Sequence, residues 1–185
     1  GNPDDDGGRF PGYTAAIGQQ RKAANRIKRE QPITVVIGNP PYKDKAKGLG
    51  GWVEGEGRNK GEYAPLDDWQ PPRELGAHAK HLRNLYVYFW RWASRKVFEP
   101  VPGQAPGGGR GVVAFITAAG FLSGPGFVRM RQELRHWCHE VWVIDCSPEG
   151  HQPEVATRIF QGVQQPVCIV IGVRQRDETK TEPAR

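Results

Sequence analysis

Apolar positions in this chain fall into four short β-branched runs and three longer stretches with helical spacing. The first run is Thr34-Val35-Val36-Ile37-Gly38. Unbroken Val and Ile read as a strand over about Ile33–Ile37, covered on both faces. Gly111–Thr117, Glu140–Asp145 and Val167–Val173 are the other three runs. Leu75, Leu82, Leu85, Tyr86, Phe89, Trp90, Ala93 and Phe98 fall largely on one helical face. They predict one crossover helix over Arg73–Glu99. Phe127–Cys138 predicts a basic amphipathic helix. Tyr13–Glu30 predicts another, with Ala15, Ile17, Ala23, Ala24 and Ile27 as its sparse apolar positions and Arg21, Lys22, Arg26, Lys28 and Arg29 making it strongly basic. A charge run of this kind is ordinarily a solvated face, with DNA contact as the functional alternative.

The resulting order, strand–helix–strand–helix–strand–strand, is that of an α/β domain with right-handed crossovers. Strands three and four lack a helix between them, which predicts an antiparallel edge pair. Residues 1–32 form a basic helical lead-in, its first dozen residues irregular; 33–174 form the domain; 175–185 read as a polar linker. Inside the domain, Lys43–Pro72 is glycine-rich and aperiodic, with Trp52, Tyr63 and Trp69 scattered among charges. This long insertion (43–72) predicts a functional flap or a segment without order of its own. Gly107-Gly108-Gly109 precedes a strand and lacks the Lys-Ser/Thr of a phosphate loop.

Composition adjusts this picture in three places. With 24 Gly and 16 Pro among 185 residues, and only 37% hydrophobic residues, much of one domain must be loop. A net charge of +6 suits a polyanionic partner without requiring one. Cys138, Cys146 and Cys168 lie in or beside apolar runs, which predicts reduced thiols and a cytoplasmic protein. His78 and His81, or His136, Cys138 and His139, lack the paired spacing of a metal site, so no metal is expected. No run is long enough to span a bilayer, and no signal peptide is visible.

The candidate chemistry lies where the first strand breaks into Asn39-Pro40-Pro41-Tyr42. Neither proline can give an N–H to a ladder, and each holds the residue before it extended. A stiff loop at the carboxyl end of a strand is where α/β sheets place their ligands. The Asn39 side-chain oxygen and the Pro40 carbonyl are two acceptors, suited to a planar NH₂ group. Tyr42 adds an aromatic face on which a base can stack, worth ~1–3 kcal/mol. A surface turn with a packed tyrosine is the plain alternative.

Strand-Asn-Pro-Pro-Tyr resembles the catalytic motif of amino-methyltransferases, above all the adenine-specific (N6) DNA methyltransferases of single-chain restriction–modification enzymes. Asn84-Leu85-Tyr86-Val87-Tyr88-Phe89, the Gly111–Thr117 strand, the Arg129–Trp137 helix and Arg158-Ile159-Phe160 through Val173 follow in that family's order. The likeness spans roughly residues 20–174. It implies the second half of a Rossmann-like methyltransferase sheet with a reversed final strand. It implies S-adenosylmethionine as methyl donor, with Asn39, Pro41 and Phe89 beside it, and double-stranded DNA as partner. Asn39, Pro40, Pro41 and Tyr42 become the catalytic loop, and Tyr42 and Phe160 the pair that stacks on an extrahelical adenine. Apart from the resemblance, the insertion after Tyr42 would, read as a flap, close over substrate or touch the DNA backbone through Lys43, Lys45 and Lys47. The family's glycine-containing cofactor loop and ribose-binding acid precede this strand, and upstream of Ile33 this chain has neither. The chain is therefore expected to be a fragment, lacking its amino-terminal half and the target-recognition region and inactive alone. Glutamine methyltransferases of peptide-release factors, cytosine amino-methyltransferases and a non-catalytic DNA-binding remnant are the alternatives.

Overall fold

The computed structural model describes residues 11–30, 33–59, 61–99, 109–146, 160, 165–175 and 183–184. The expected loop over Ser147–Glu154 and the glycine run at 107–108 lie outside them. Four strands form one mixed sheet: β1 (Val35–Gly38), β2 (Gly111–Ala118), β3 (Glu140–Asp145) and β4 (Val167–Arg174), in the order β1-β2-β4-β3. β1 runs parallel to β2, with Val35 opposite Val112 and Gly38 opposite Phe115. β4 is antiparallel to both neighbours, β2 and β3. The expected antiparallel pair is present, but of its two strands β3 alone is an edge; the last strand is inserted between β2 and β3. At the start of β2, Gly111 has φ +144, and a Cβ there would lie 1.9 Å from the Thr34 carbonyl oxygen. Only glycine allows β1 and β2 to meet so closely.

One face of the sheet is covered. Val113, Phe115 and Thr117 of β2 and Cys168 and Val170 of β4 point into a core shared with α2 (Leu85–Val97) and α3 (Val128–Trp137). Trp90 of α2 meets the Phe115 ring edge-on at 4.9 Å and donates its indole N–H to the Thr117 hydroxyl at 3.2 Å. Burial of such side chains supplies roughly 1.5–3 kcal/mol each. The opposite face is apolar and open at its flanks: Ile37, Ala114, Ile171 and Trp142 lie in register across it. Ile37 is 75% and Trp142 59% exposed. Here the reading of the first run fails. β1 is an edge strand with Val35 and Ile37 in solvent, because side-chain pattern cannot report what covers a face.

Two further expectations change. The helix read over Arg73–Glu99 is divided: Arg73–Leu82 forms 3₁₀ turns, the chain breaks at Arg83-Asn84, and α2 begins at Leu85. Asn84 is extended (φ −123, ψ 140) and its side chain caps the helix. The 43–72 insertion, in its described residues, is neither a bare flap nor disordered. Short 3₁₀ turns at Gly51–Glu54 and Pro65–Trp69 bury Val53, Leu66 and Trp69 in the core. Arg91 of α2, wholly buried, fastens it: Nε donates to the Pro65 carbonyl at 2.6 Å, and the guanidinium meets Asp68, Glu99 and Glu133.

The lead-in helix α1 (Pro11–Glu30) forms as read, and Arg21, Lys22 and Arg26 are exposed on it. At the other end the linker reading is incomplete. Ala184 is buried, its N–H donating to the Arg135 carbonyl at 2.9 Å and its own carbonyl accepting from Arg135 Nε at 2.7 Å.

Candidate functional site

β1 ends at Gly38, and the chain leaves the sheet as Asn39-Pro40-Pro41-Tyr42. Gly38 does not have a positive φ; its lack of a side chain matters because a Cβ would stand 3.3 Å from the Phe115 ring. Asn39 and Pro41 are exposed, Pro40 is buried, and Tyr42 is half-buried. The loop thus rises from the carboxyl end of a parallel strand with one proline anchored and its amide side chain in solvent.

Tyr42 turns back on the loop. Its hydroxyl oxygen is 2.9 Å from Asn39 Oδ1 and 3.0 Å from the Ile116 carbonyl of β2. Its ring meets Tyr86 edge-on, centroids 6.4 Å apart and planes at 80°. Partial burial, with smaller contributions from Cys168 and Cys146, pushes the phenol up to about 12. Tyr42 is therefore a neutral donor at physiological pH. Asn39 Oδ1 has two lone pairs, so one can hold the phenol proton while the other stays available.

The segment after Tyr42 is held just as definitely. Asn84 Oδ1 accepts from Lys43 N–H at 3.2 Å and Tyr86 N–H at 3.3 Å, and its Nδ2 donates to Asp44 Oδ1 at 2.6 Å. Leu85 N–H donates to the Lys43 carbonyl at 3.1 Å, and Ala46 N–H to that of Arg83 at 2.8 Å. A little further on, Glu54 accepts from Gly48 and Gly50 N–H, each at 2.8 Å, and pairs with Arg83. Burial alone would raise its carboxyl, but the Gly50 N–H, the Arg83 guanidinium and the Gly48 N–H together hold it below the ordinary value of 4.5.

The other candidate residues are distributed unevenly. Phe89, 44% exposed, lines an apolar groove of about 290 Å³ with Leu49, Val53, Leu85, Tyr88 and Trp92. A flat heteroaromatic ring is the kind of ligand such a groove accepts. Lys43, Lys45 and Lys47 are exposed beside the loop, Lys45 with φ 55. Phe160 is half-buried, and no ring contact among the described residues joins it to Tyr42. The three cysteines are free thiols; burial, first of all, pushes Cys168 up to about 12.

Among the described residues one acidic trio has the spacing of a cation site, Asp68, Glu99 and Glu133, and Arg91 already supplies its positive charge. Sequence reasoning missed that cluster, as it missed the Asn84 and Asp44 pairing. An Asn before an apolar run is a helix-start signal and could have revealed the cap. The Ile116 carbonyl, a backbone group 74 positions from Tyr42, left no sequence signal.

Comparison with solved structures shows the fold shared with stretches of three large proteins. The first is described as the ATP-dependent Type ISP restriction-modification enzyme LlaBIII bound to DNA (TM-score 0.62, 22% identity, 91% of this chain and 10% of that one). A nuclease-deletion mutant of the Type ISP restriction-modification enzyme LlaGI with a DNA substrate mimic matches at TM-score 0.57 and 15% identity, over 90% of this chain and 15% of that one. A DrdV–DNA complex matches at TM-score 0.53 and 20% identity, over 86% and 15%. This chain thus spans only 10–15% of the length of these proteins. No protein-family model matches, and no curated protein does. No helix among the described residues is long and apolar enough to cross a membrane.

Proposed function

We propose that this chain is part of the catalytic domain of a DNA methyltransferase acting on the exocyclic amine of adenine, within a larger restriction–modification polypeptide. The observation that carries the reading is the Asn39–Tyr42 loop: two acceptors at the carboxyl end of a parallel strand, one oriented by a neutral tyrosine hydroxyl. The half-sheet, with its reversed β4, supports it. So does the likeness to stretches of restriction-modification enzymes described in complex with DNA or a DNA substrate mimic, which supports a restriction–modification setting and a DNA partner.

The residues present suit S-adenosylmethionine in part. Phe89 and Leu85 would hold its adenine in their groove, with Asn39 and Pro41 as the other residues that would hold the cofactor. The remainder of the pocket would come from outside these residues. When bound, the cofactor supplies an electrophilic methyl group on a sulfonium.

Adenine leaves the duplex to reach the loop, at a cost of a few kcal/mol. Tyr42 stacks on it, with Phe160 as the second aromatic. Asn39 Oδ1 and the Pro40 carbonyl each accept one hydrogen of the amine. These bonds draw the nitrogen lone pair out of ring conjugation and aim it at the methyl group. The proton leaves the methylated amine to water after the transfer, so no general base of shifted pKa is required. The loop's contribution is positioning and preorganised electrostatics. Lys43, Lys45 and Lys47 meet the DNA backbone beside the loop.

Asn39→Ala in the complete polypeptide is the test. Single-turnover methylation should fall about 10²–10³-fold, with the melting temperature and DNA affinity nearly unchanged, since phosphate contacts dominate affinity. A folded Asn39→Ala protein methylating adenine at the parental rate would sink the mechanism.

A further inference from the structure

We infer that Asn84, through its pairing with Asp44, is a positioning residue for the Asn39–Tyr42 loop; the inference rests on the function proposed above. The loop has two tethers. Upstream it is continuous with β1, and the Tyr42 hydroxyl ties it to Ile116 of β2. Downstream, the Asn84 side chain holds the chain immediately after Tyr42. That side chain is 3% exposed, and two of its three hydrogen bonds go to residues 40 and 41 positions earlier. Oδ1 takes Lys43 N–H, the first backbone group beyond Tyr42, and Nδ2 takes Asp44 Oδ1. The flanking Leu85–Lys43 and Ala46–Arg83 backbone bonds complete the tether.

The geometry assigns a reason for each atom of the carboxamide. The same Oδ1 caps α2 at Tyr86 N–H, and the Tyr86 ring is the surface on which the Tyr42 ring rests. Asn84 therefore fixes both the chain following Tyr42 and the wall behind it. A plain helix cap needs only an acceptor, for which Asp, Ser or Thr would serve as well. The Asp44 partner needs a donor as well. Asparagine is a side chain of that length able to accept the two N–H groups and donate to a carboxylate. Displacing reacting groups by about 1 Å can cost 10²-fold in rate, so a tether acting on the residue next to Tyr42 should register in the chemical step.

The test exchanges the two side chains in the complete polypeptide. Asn84→Asp keeps both acceptor bonds but sets two carboxylates 2.6 Å apart where an N–H···O bond was. Single-turnover methylation should fall about 10–100-fold, with affinity for target DNA changed less than about threefold because phosphate contacts set it. The double variant Asn84→Asp/Asp44→Asn restores one donor and one acceptor in reversed order, and its rate should return to within a few-fold of the parent. If Asn84→Asp does not fold, Asp44→Ala replaces it, since it leaves the helix cap intact; a slowed chemical step with unchanged DNA affinity is expected. Parental rates in the folded single variants, or a folded double variant as slow as Asn84→Asp, would overturn the inference. Asn39→Ala measured alongside separates the two levels. If Asn39→Ala is also at the parental rate, the loop is not the reaction site; if only Asn84→Asp is, the positioning role alone fails.

Discussion

The hydroxyl of Tyr42 and the side-chain oxygen of Asn39 lie 2.9 Å apart, three residues from each other on a loop stiffened by two prolines. The phenol has one proton and two acceptors within reach, the second being the Ile116 carbonyl at 3.0 Å. With the proton on Asn39, the carboxamide oxygen is aimed and its second lone pair is open; with it on Ile116, the amide is free to turn.

Tyr42→Phe isolates this bond, because the ring that would stack on a base is kept. One neutral hydrogen bond is worth about 0.5–1.5 kcal/mol, so single-turnover methylation in the complete polypeptide should slow by roughly 3–10-fold. Extrahelical base capture, read by a fluorescent base analogue at the target, should stay near normal. Tyr42→Ala should lose both. Equal capture in Tyr42→Phe and Tyr42→Ala would show that stacking is not the role of the ring.

Arg91 holds the insertion to the helical layer, and its removal strands three carboxylates. Arg91→Met should destabilise the domain, by less than the ~3–5 kcal/mol of a fully buried pair, because Asp68 is exposed and Glu99 and Glu133 are only partly buried. Arg91→Lys should recover little of this, since one ammonium cannot also reach the Pro65 carbonyl in the guanidinium's fork geometry. Urea denaturation of the two variants checks the order.

Glu54 gives the acid response a definite sign. Its folded carboxyl lies below the ordinary value of 4.5, so the stability it contributes is complete above that value. That stability is lost as pH falls through the folded value. Thermal melts from pH 7 down to pH 3 should show the parent losing stability across this interval. Glu54→Gln should start lower and fall less steeply, because a neutral amide keeps no charge to titrate. Parallel curves for the two proteins would mean that the Gly48–Gly50 turn does not depend on the carboxylate.

The open sheet face makes the isolated chain adhesive. An apolar edge strand is a template for association, and Ile37 and Trp142 stand on opposite flanks of the same uncovered face. Residues 1–185 alone should bind a hydrophobic dye, associate as concentration rises and show negligible affinity for S-adenosylmethionine. Ile37→Lys with Trp142→Gln should suppress association while leaving the melting temperature within a few degrees. Micromolar cofactor binding by calorimetry would contradict the incomplete pocket.

What the sequence disclosed follows from how local each signal is. All four strands were legible because Val and Ile crowd into short runs, three of them with glycine or proline beside or within them, and the Asn39–Tyr42 loop because two prolines end one of those runs. The break at Asn84 was passed over, since apolar spacing continues through it from Leu82 to Leu85 and Tyr86 and masks the helix-start signal of the asparagine. The order in the insertion was hidden because its fixings are distant: Glu54 on Arg83, and Asp68 on Arg91. The burial of β1 was misread because Val35 and Ile37 state only that they suit a covered face. Nothing in the sequence indicates the distance between Phe160 and Tyr42.

Trp142, Ile144, Val35 and Ile37 also alter the calorimetric character of this domain. Heat capacity and denaturant sensitivity of unfolding both scale with the surface newly wetted when the chain opens. Side chains already in water in the folded state add nothing to either. The domain should therefore unfold with a heat-capacity increment below the typical ~12–15 cal/mol/K per residue and with a correspondingly shallow urea slope. Covering the open face would steepen the slope and raise the increment together, while the strands beneath kept their order.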